Sequence, residues 1–244
     1  MLIQKDKTII PACDVKDMNA LVGLIEDTCD LDSIGGYKIG ISLVLRYGLG
    51  AVVRQIKSYT SKPIIYDHQK GGNDIPSMGE KFAEICKDSG VDAVILFPFV
   101  GPVSATNWIR ACQDNGLDVI LGSRMTHPGF DIFIPVNTSF AIYETGVLMG
   151  VNNFVIPGNH PGDFKYYRNI ILEKKLEIAL KNGTEITEDI KNFDVFSPGL
   201  ITQGGDITEV GRLAGDRWHV IIGRALYQAG DIREKAIELS KEIN

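Results

Sequence analysis

The sequence predicts an α/β fold of the (β/α)8 barrel type, built as one domain over residues 1–244. Three observations carry that prediction. Apolar runs of strand length alternate with amphipathic segments of helix length from end to end, the pattern of parallel strands joined by helical crossovers. Eight such units occur in 244 residues, and eight strands close a barrel in chains that commonly run to about 250 residues. Charged side chains on otherwise apolar strands gather at strand C-terminal ends, where barrels carry their functional groups. A doubly wound open sheet would instead place Gly-x-Gly-x-x-Gly after its first strand. Here that position reads Ala12-Cys13-Asp14-Val15-Lys16-Asp17.

The elements follow in order. Strand-length apolar runs occupy residues 8–13, 37–41, 63–67, 93–97, 118–122, 154–156, 193–196 and 219–222. Helical periodicity fills the intervals at 18–29, 42–59, 78–89, 103–115, 136–150, 164–182, 207–214 and 232–243. The pair Gly48-Leu49-Gly50 falls inside the second helical interval and lacks the third glycine of a phosphate fingerprint. No linker, low-complexity stretch or composition shift divides the chain.

Composition removes several function classes. Apolar residues make up 44% and charged residues 23%, ordinary for a globular protein. The net charge is −6 with no block of Lys or Arg, so nucleic acid is not an expected partner, because phosphate backbones are held by clustered cations. The longest apolar runs are strand-sized, so no membrane span is expected. The first residues, Met-Leu-Ile-Gln-Lys-Asp-Lys, carry charge where a secretory signal needs its apolar stretch. Cys13, Cys29, Cys86 and Cys112 are scattered without a Cys-x-x-Cys, which reads as reduced, mostly buried thiols in a cytoplasmic protein.

The chemistry is concentrated in Tyr66-Asp67-His68-Gln69-Lys70-Gly71-Gly72-Asn73-Asp74-Ile75-Pro76. A lysine set between two carboxylates keeps its charge, because opposite charges a few ångströms apart favour both ionised forms. Such a lysine is a poor nucleophile, a good fixed cation and a well-placed proton donor. A solvated acidic-basic turn would read the same way in isolation. Asp14 ending the first strand and Lys38 within the second favour a site, since neither is explained as solvated surface on an apolar strand.

The far end of the chain points to a phosphate. Gln203-Gly204-Gly205-Asp206 follows the seventh strand and Gly223-Arg224 the eighth, where barrels hold phosphate with loop amides and a short helix N-terminus. Glycines let the backbone approach, and the planar fork of Arg224 suits a dianion. Residues 198–206 have the composition of a gripping loop, with glycines near each end and polar groups between. His127 and His160 each stand in His-Pro-Gly with Asp131 and Asp163 nearby. His-Pro-Gly is first a turn sequence, so no metal site is expected there. His219 opens a strand and reads as a packing or surface residue.

Together these residues resemble the orotidine 5′-monophosphate decarboxylase family, from Asp14 to Tyr227. The supporting motifs are Tyr37-Lys38-Ile39-Gly40, the Asp67…Lys70…Asp74-Ile75-Pro76 cluster, Met125-Thr126-His127-Pro128-Gly129, Ser197-Pro198-Gly199…Gln203-Gly204-Gly205-Asp206 and Ile222-Gly223-Arg224-Ala225-Leu226-Tyr227. The resemblance implies conversion of orotidine 5′-monophosphate to UMP and CO2 in de novo pyrimidine synthesis. It implies that Lys70 stabilises and protonates a carbanion at C6, and that Asp67 sits against the leaving carboxylate. Lys38 would anchor that network and Asp14 would bind ribose hydroxyls. Thr126, where the family usually has serine, would contact the pyrimidine. Pro198, Gln203, Gly223 and Arg224 would line the phosphate end. Asp74 would reach into the neighbouring subunit's site, making the active unit a homodimer. No metal or organic cofactor is called for, because fixed charges aimed at a developing carbanion act in a water-poor site.

The sequence departs from the family most clearly in the charged motif. The family motif runs Asp-x-Lys-x-x-Asp, whereas this chain has Asp-x-x-Lys-x-x-x-Asp. Residues two apart on a strand share a face and residues three apart do not. A kink is therefore expected near His68–Gln69, with Gly71-Gly72 easing the second side. A second reading sets His68 in the place of the first carboxylate, and an imidazole there could not repel the leaving carboxylate. Met78 also stands where the family commonly has threonine. Two rivals remain: a Mg-dependent sugar-phosphate decarboxylase or aldolase on the same scaffold, and a nucleotide-binding barrel without catalysis.

Overall fold

Alternate side chains along each strand face two different cores, and that alternation builds the molecule. The computed structural model describes residues 1–243, with the side chains of Gln69, Lys70, Glu188 and Asp189 outside the description. Its strands are β1 (Lys7–Pro11), β2 (Tyr37–Ile39), β3 (Ile64–Gly71), β4 (Ala93–Leu96), β5 (Asp118–Gly122), β6 (Asn153–Val155), β7 (Asp194–Ser197) and β8 (Trp218–Ile222). The helices are α1 (Met18–Thr28), α2 (Ile41–Tyr47), α3 (Leu49–Lys57), α4 (Met78–Ser89), α5 (Pro102–Asp114) and α6 (Phe130–Phe133). After them come α7 (Val136–Leu148), α8 (Pro161–Lys181), α9 (Glu188–Lys191), α10 (Ile207–Ala214), α11 (Arg224–Tyr227) and α12 (Ile232–Glu242).

All strand pairs are parallel, in the order β1-β8-β7-β6-β5-β4-β3-β2. The remaining gap between β1 and β2 is spanned by isolated bridges, Ile9 to Ile34 and Ala12 to Lys38, with Cys13 N–H donating to Lys38 O at 2.8 Å. The result is a nearly closed eight-stranded barrel, as the strand count predicts.

Ile65, Ile95, Ile120, Val155, Phe196 and Ile221 fill the barrel interior, joined by Leu2 and Ile3 from the N-terminal segment. Their strand neighbours, among them Ile64, Tyr66, Val94, Val119, Val195 and Val220, pack outward beneath the helices. A fully buried aliphatic side chain contributes roughly 1.5–3 kcal/mol, so the two cores together set the register of every strand. Aspartates punctuate the helix starts: Asp17, Asp206 and Asp231 accept from the backbone N–H groups of Ala20, Glu209 and Glu234 at 2.9, 2.8 and 2.7 Å. Each cap satisfies a donor that the helix itself leaves orphaned.

The helix expected over residues 42–59 is two helices. Gly48 has φ +80° and separates α2 from α3. A continuous apolar periodicity hides such a break, because only the backbone at one glycine changes. The third strand also runs past Asp67 to Gly71. The short helices α6, α9 and α11 were not anticipated, since four residues are too few to show a period.

His219 is a packing residue. It is fully buried at the N-terminal end of the barrel, with Nδ1 2.8 Å from Thr8 Oγ1. Beside it Arg217 Nε donates to Asp194 at 2.5 Å, and its outer nitrogens donate to Asp6 and to Ile3 O. Burial works against the Asp194 carboxylate, yet the neighbouring His219, with Nε2 3.8 Å away, and the hydrogen-bonded Arg217 outweigh it and hold its pKa below the usual value. The cysteines are free, three of them buried, and burial pushes the Cys86 and Cys112 thiols up to about 12. Among the described residues no helix is long and apolar enough to cross a membrane.

Candidate active site

Period-two alternation along β3 sends Ile65 and Asp67 into the barrel and Tyr66 outward. Asp67 meets Lys38 there, with Nζ to Oδ2 at 3.0 Å, and Asp14 Oδ2 lies 3.6 Å from the same ammonium. The Lys38 and Asp67 side chains are 8% and 9% exposed, whereas Asp14 is 44% exposed. Burial alone would push the Lys38 pKa down, but the charges of Asp67 and Asp14 outweigh it and the net shift is upward. Lys38 is thus held as a cation, and its two partners as an ordered acidic pair around it.

Beyond Asp67 the strand bulges. Asp67 pairs with Ile95 of β4 and Gly71 pairs with the very next residue, Leu96. His68, Gln69 and Lys70 are therefore extra to the ladder, a longer distortion than the single kink expected near His68–Gln69. Gly72 follows with φ +95°, a conformation that a Cβ would strain. Asn73 then ties the loop to β4, donating to Phe97 O at 2.6 Å and accepting from Phe99 N–H at 2.7 Å. His68 turns to the outer side, 2.5 Å from Tyr66 Oη and against the Phe82 ring. The geometry therefore favours Asp67, not His68, as the inward-facing group. The side chain of Lys70 lies outside the described residues.

A cavity of about 300 Å³ opens above this cluster. Asp14, Lys38 and Asp67 line one part of it, over an apolar floor that includes Ile95, Phe97 and Ile221. Thr126 lines it from the β5 side, and Pro198, Gln203, Gly223 and Arg224 line it from the β7 and β8 loops. The β7 loop folds on itself, with Ile201 N–H donating to Gly205 O at 2.9 Å and Gly205 N–H to Gly199 O at 3.2 Å. Arg224 stands exposed at the start of α11 and pairs with no carboxylate among the described residues, so its fork is open to an anion. Asp74 does not line the cavity. It is exposed beside a second cleft formed with Ile75, Val100 and Val103, its carboxylate capping Ile75 N–H at 2.7 Å.

Three residues escaped sequence reasoning. Arg124 lines the cavity and pairs with both Asp131 and Asp163, so these carboxylates serve an arginine beside the two His-Pro-Gly turns. Among the described residues no group of three or more His, Cys, Asp or Glu side chains is placed to hold a metal ion. Tyr227 also lines the cavity, with its hydroxyl pKa raised by burial and by Asp14. Asn159 donates to Thr126 O at 2.8 Å. A charged residue directly after an apolar strand is the signal that found Asp14 and Asp67. The same signal at Arg124, one residue before the Met-Thr-His-Pro-Gly motif, was available.

The chain as a whole is similar to known proteins. Residues 7–239 match the profile of the family described as Orotidine 5′-phosphate decarboxylase / HUMPS. The chain is 32% identical over 242 residues to orotidine 5′-phosphate decarboxylase of Methanosarcina barkeri, covering 99% of this chain and 96% of that one. It is 31% identical over 237 residues to the Pyrococcus furiosus protein of the same name, covering 96% and 97%. Among solved structures, orotidine 5′-monophosphate decarboxylase of Methanocaldococcus jannaschii complexed with the inhibitor BMP superimposes with a TM-score of 0.82. That match has 26% identity and covers 99% of this chain and 100% of the other. A profile spanning nearly every element, and relatives aligned end to end, lead to one statement: the chain belongs to the orotidine 5′-phosphate decarboxylase / HUMPS family.

Proposed function

We propose that this protein decarboxylates orotidine 5′-monophosphate to UMP and CO2. The observation that carries the reading is the buried Lys38–Asp67 pair, flanked by Asp14, facing the same cavity as the open fork of Arg224. One part of the cavity suits a nucleotide's phosphate, and the other offers the Asp67 carboxylate, against which the substrate's own carboxylate would sit in this reading. The full-length relatives carrying that activity's name favour it over a sugar-phosphate enzyme within the same family.

In this reading Gln203, Gly223 and Arg224 hold the phosphate, Asp14 the ribose hydroxyls and Thr126 the pyrimidine. The C6–carboxylate bond breaks, its electron pair stays on C6, and CO2 departs. Asp67 disfavours the bound carboxylate and Lys38 holds Asp67 in place through their ion pair. The Lys70 ammonium stabilises the developing charge and delivers its proton to C6, then regains a proton from solvent. Preorganised charges over an apolar floor act more strongly than they would in water, so we propose no metal or organic cofactor. Binding the phosphate orders the 198–206 loop over the site and directs remote binding energy to the reacting carbon. The absence of a disulfide among the described cysteines suits a reducing compartment such as the cytoplasm.

The active unit is a homodimer in which Asp74 completes the partner's site. Support comes from the rim around it: Ile75, Val100, Val103, Ile132 and Phe133 are 61%, 56%, 66%, 79% and 88% exposed, in the loops and first helices that follow the adjacent strands β3, β4 and β5. Apolar side chains gathered on one rim mark an interaction surface. Mixing Lys70→Ala with Asp74→Ala protein tests the arrangement. Each variant alone is expected to be nearly inactive. Random pairing in a twofold dimer would restore about a quarter of the sites, because each hybrid holds one intact site. No recovery after subunit exchange would exclude the shared site.

A further inference from the structure

The segment between β5 and α6 has a two-point attachment whose purpose the reaction scheme leaves unexplained. Arg124 is 8% exposed and opens into the cavity, yet it is not placed to bind an anion. Both its outer nitrogens donate to the Asp131 carboxylate, one of them at 3.1 Å, and its Nε donates to Asp163 Oδ2 at 3.0 Å. The guanidinium carbon also lies 5.3 Å from the Phe130 ring centroid. Two carboxylates on one guanidinium leave a net negative cluster, which would repel a phosphate dianion. Ligand binding is therefore not what this arginine does.

Position is what it controls. Asp131 belongs to α6, and Asp163 to the first turn of α8. Arg124 thereby pins the start of the loop to its own far end and to the segment after β6. Two residues on, Thr126 is held to that same segment by Asn159, which donates to its carbonyl at 2.8 Å. Thr126 also abuts the phosphate loop: a Cβ on Gly199 would lie 2.9 Å from both Thr126 Cγ2 and Asn159 Oδ1. The planar fork of arginine suits such a clamp, since its bidentate geometry fixes direction as well as distance.

We propose that Arg124, with Asp131 and Asp163, is a positioning device that sets Thr126 against the pyrimidine ring. This rests on the functional reading above. It assigns the clamp to recognition of the base and leaves the phosphate to the β7 and β8 loops.

The test compares two ligands sharing a phosphate and a ribose: UMP, and ribose 5-phosphate, which lacks the base. Arg124→Met removes the charge and keeps the length. Asp131 and Asp163 are 58% and 44% exposed, so water solvates them once the arginine is gone and the fold is expected to survive. UMP affinity should fall about tenfold, the loss of one good contact, while ribose 5-phosphate affinity stays within about twofold. For orotidine 5′-monophosphate, KM should rise more than kcat falls, the mark of an interaction made in both ground and transition states. Arg124→Lys and Asp163→Asn should fall between wild type and Arg124→Met, and they carry the same comparison if the methionine variant does not fold. Equal losses for both ligands, or no loss for either, would overturn the proposal while wild-type turnover leaves the decarboxylase reading standing. A wild type that binds no UMP would overturn both.

Discussion

Replacing Lys70 with alanine is expected to lower kcat by roughly 10⁴-fold or more, because in the proposed mechanism the ammonium carries two duties in one side chain. Proton delivery by a placed group contributes roughly 10²–10⁴-fold, and a fixed charge beside developing charge roughly 10²–10³-fold. UMP affinity should change little, since the product has no charge at C6 for the ammonium to meet. The distinction matters here because Lys70 stands in a three-residue bulge between Asp67 and Gly71, one residue further from Asp67 than the family spacing. A variant keeping more than about a tenth of wild-type kcat would mean that another group donates the proton.

The second large effect belongs to Lys38. Its ammonium is the shared partner of Asp67 at 3.0 Å and Asp14 at 3.6 Å. Lys38→Met leaves the buried Asp67 without that partner, and breaking a buried pair from one side costs about 3–5 kcal/mol. In a chain of this size that lowers Tm by on the order of 10 °C. Activity should fall at least about 10³-fold, because Asp67 loses both its charge partner and its fixed position. In the proposed mechanism the pair serves chemistry more than stability. A double variant Lys38→Met/Asp67→Leu should regain much of the lost stability, since an apolar replacement of a buried pair is often neutral or better, and it should stay inactive.

The pH dependence follows from the direction of the shift. Lys38 is raised above its ordinary pKa, so its contribution is fully present below the unfolded value, about 10.4. It is lost as pH rises through the higher folded value. The stability gap between wild type and Lys38→Met should therefore be constant from neutrality to about pH 10 and close above it. A gap that closed on acidification instead would contradict the assignment of Lys38 as the cation of the cluster.

Much of this was legible before any coordinates. Strand and helix periods are local, so the eight units and the barrel could be read, and Asp14, Lys38 and Asp67 stood out as charges on otherwise apolar strands or at their ends. The break at Gly48 could not, because the apolar period passes through it and only one residue's φ changes sign. The bulge after Asp67 was required by the spacing, but its three-residue length depends on where β3 rejoins β4, a tertiary matter. The charge of Arg124 after an apolar strand was legible, but its clamp was not: its partner Asp163 is 39 residues away, and no local pattern joins them. Asp74 reads as a site residue in the sequence, yet it lies outside the cavity of its own chain and beside a second cleft, a place that the proposed homodimer would account for.

The most direct measurement is the loss of orotidine 5′-monophosphate absorbance with purified protein dialysed against EDTA. The account predicts turnover undiminished by the chelator, with UMP and CO2 formed in equal amounts. No turnover with UMP still bound would reduce the protein to a nucleotide-binding barrel. No turnover and no UMP binding would contradict the account outright and direct attention to metal-dependent chemistry on sugar phosphates.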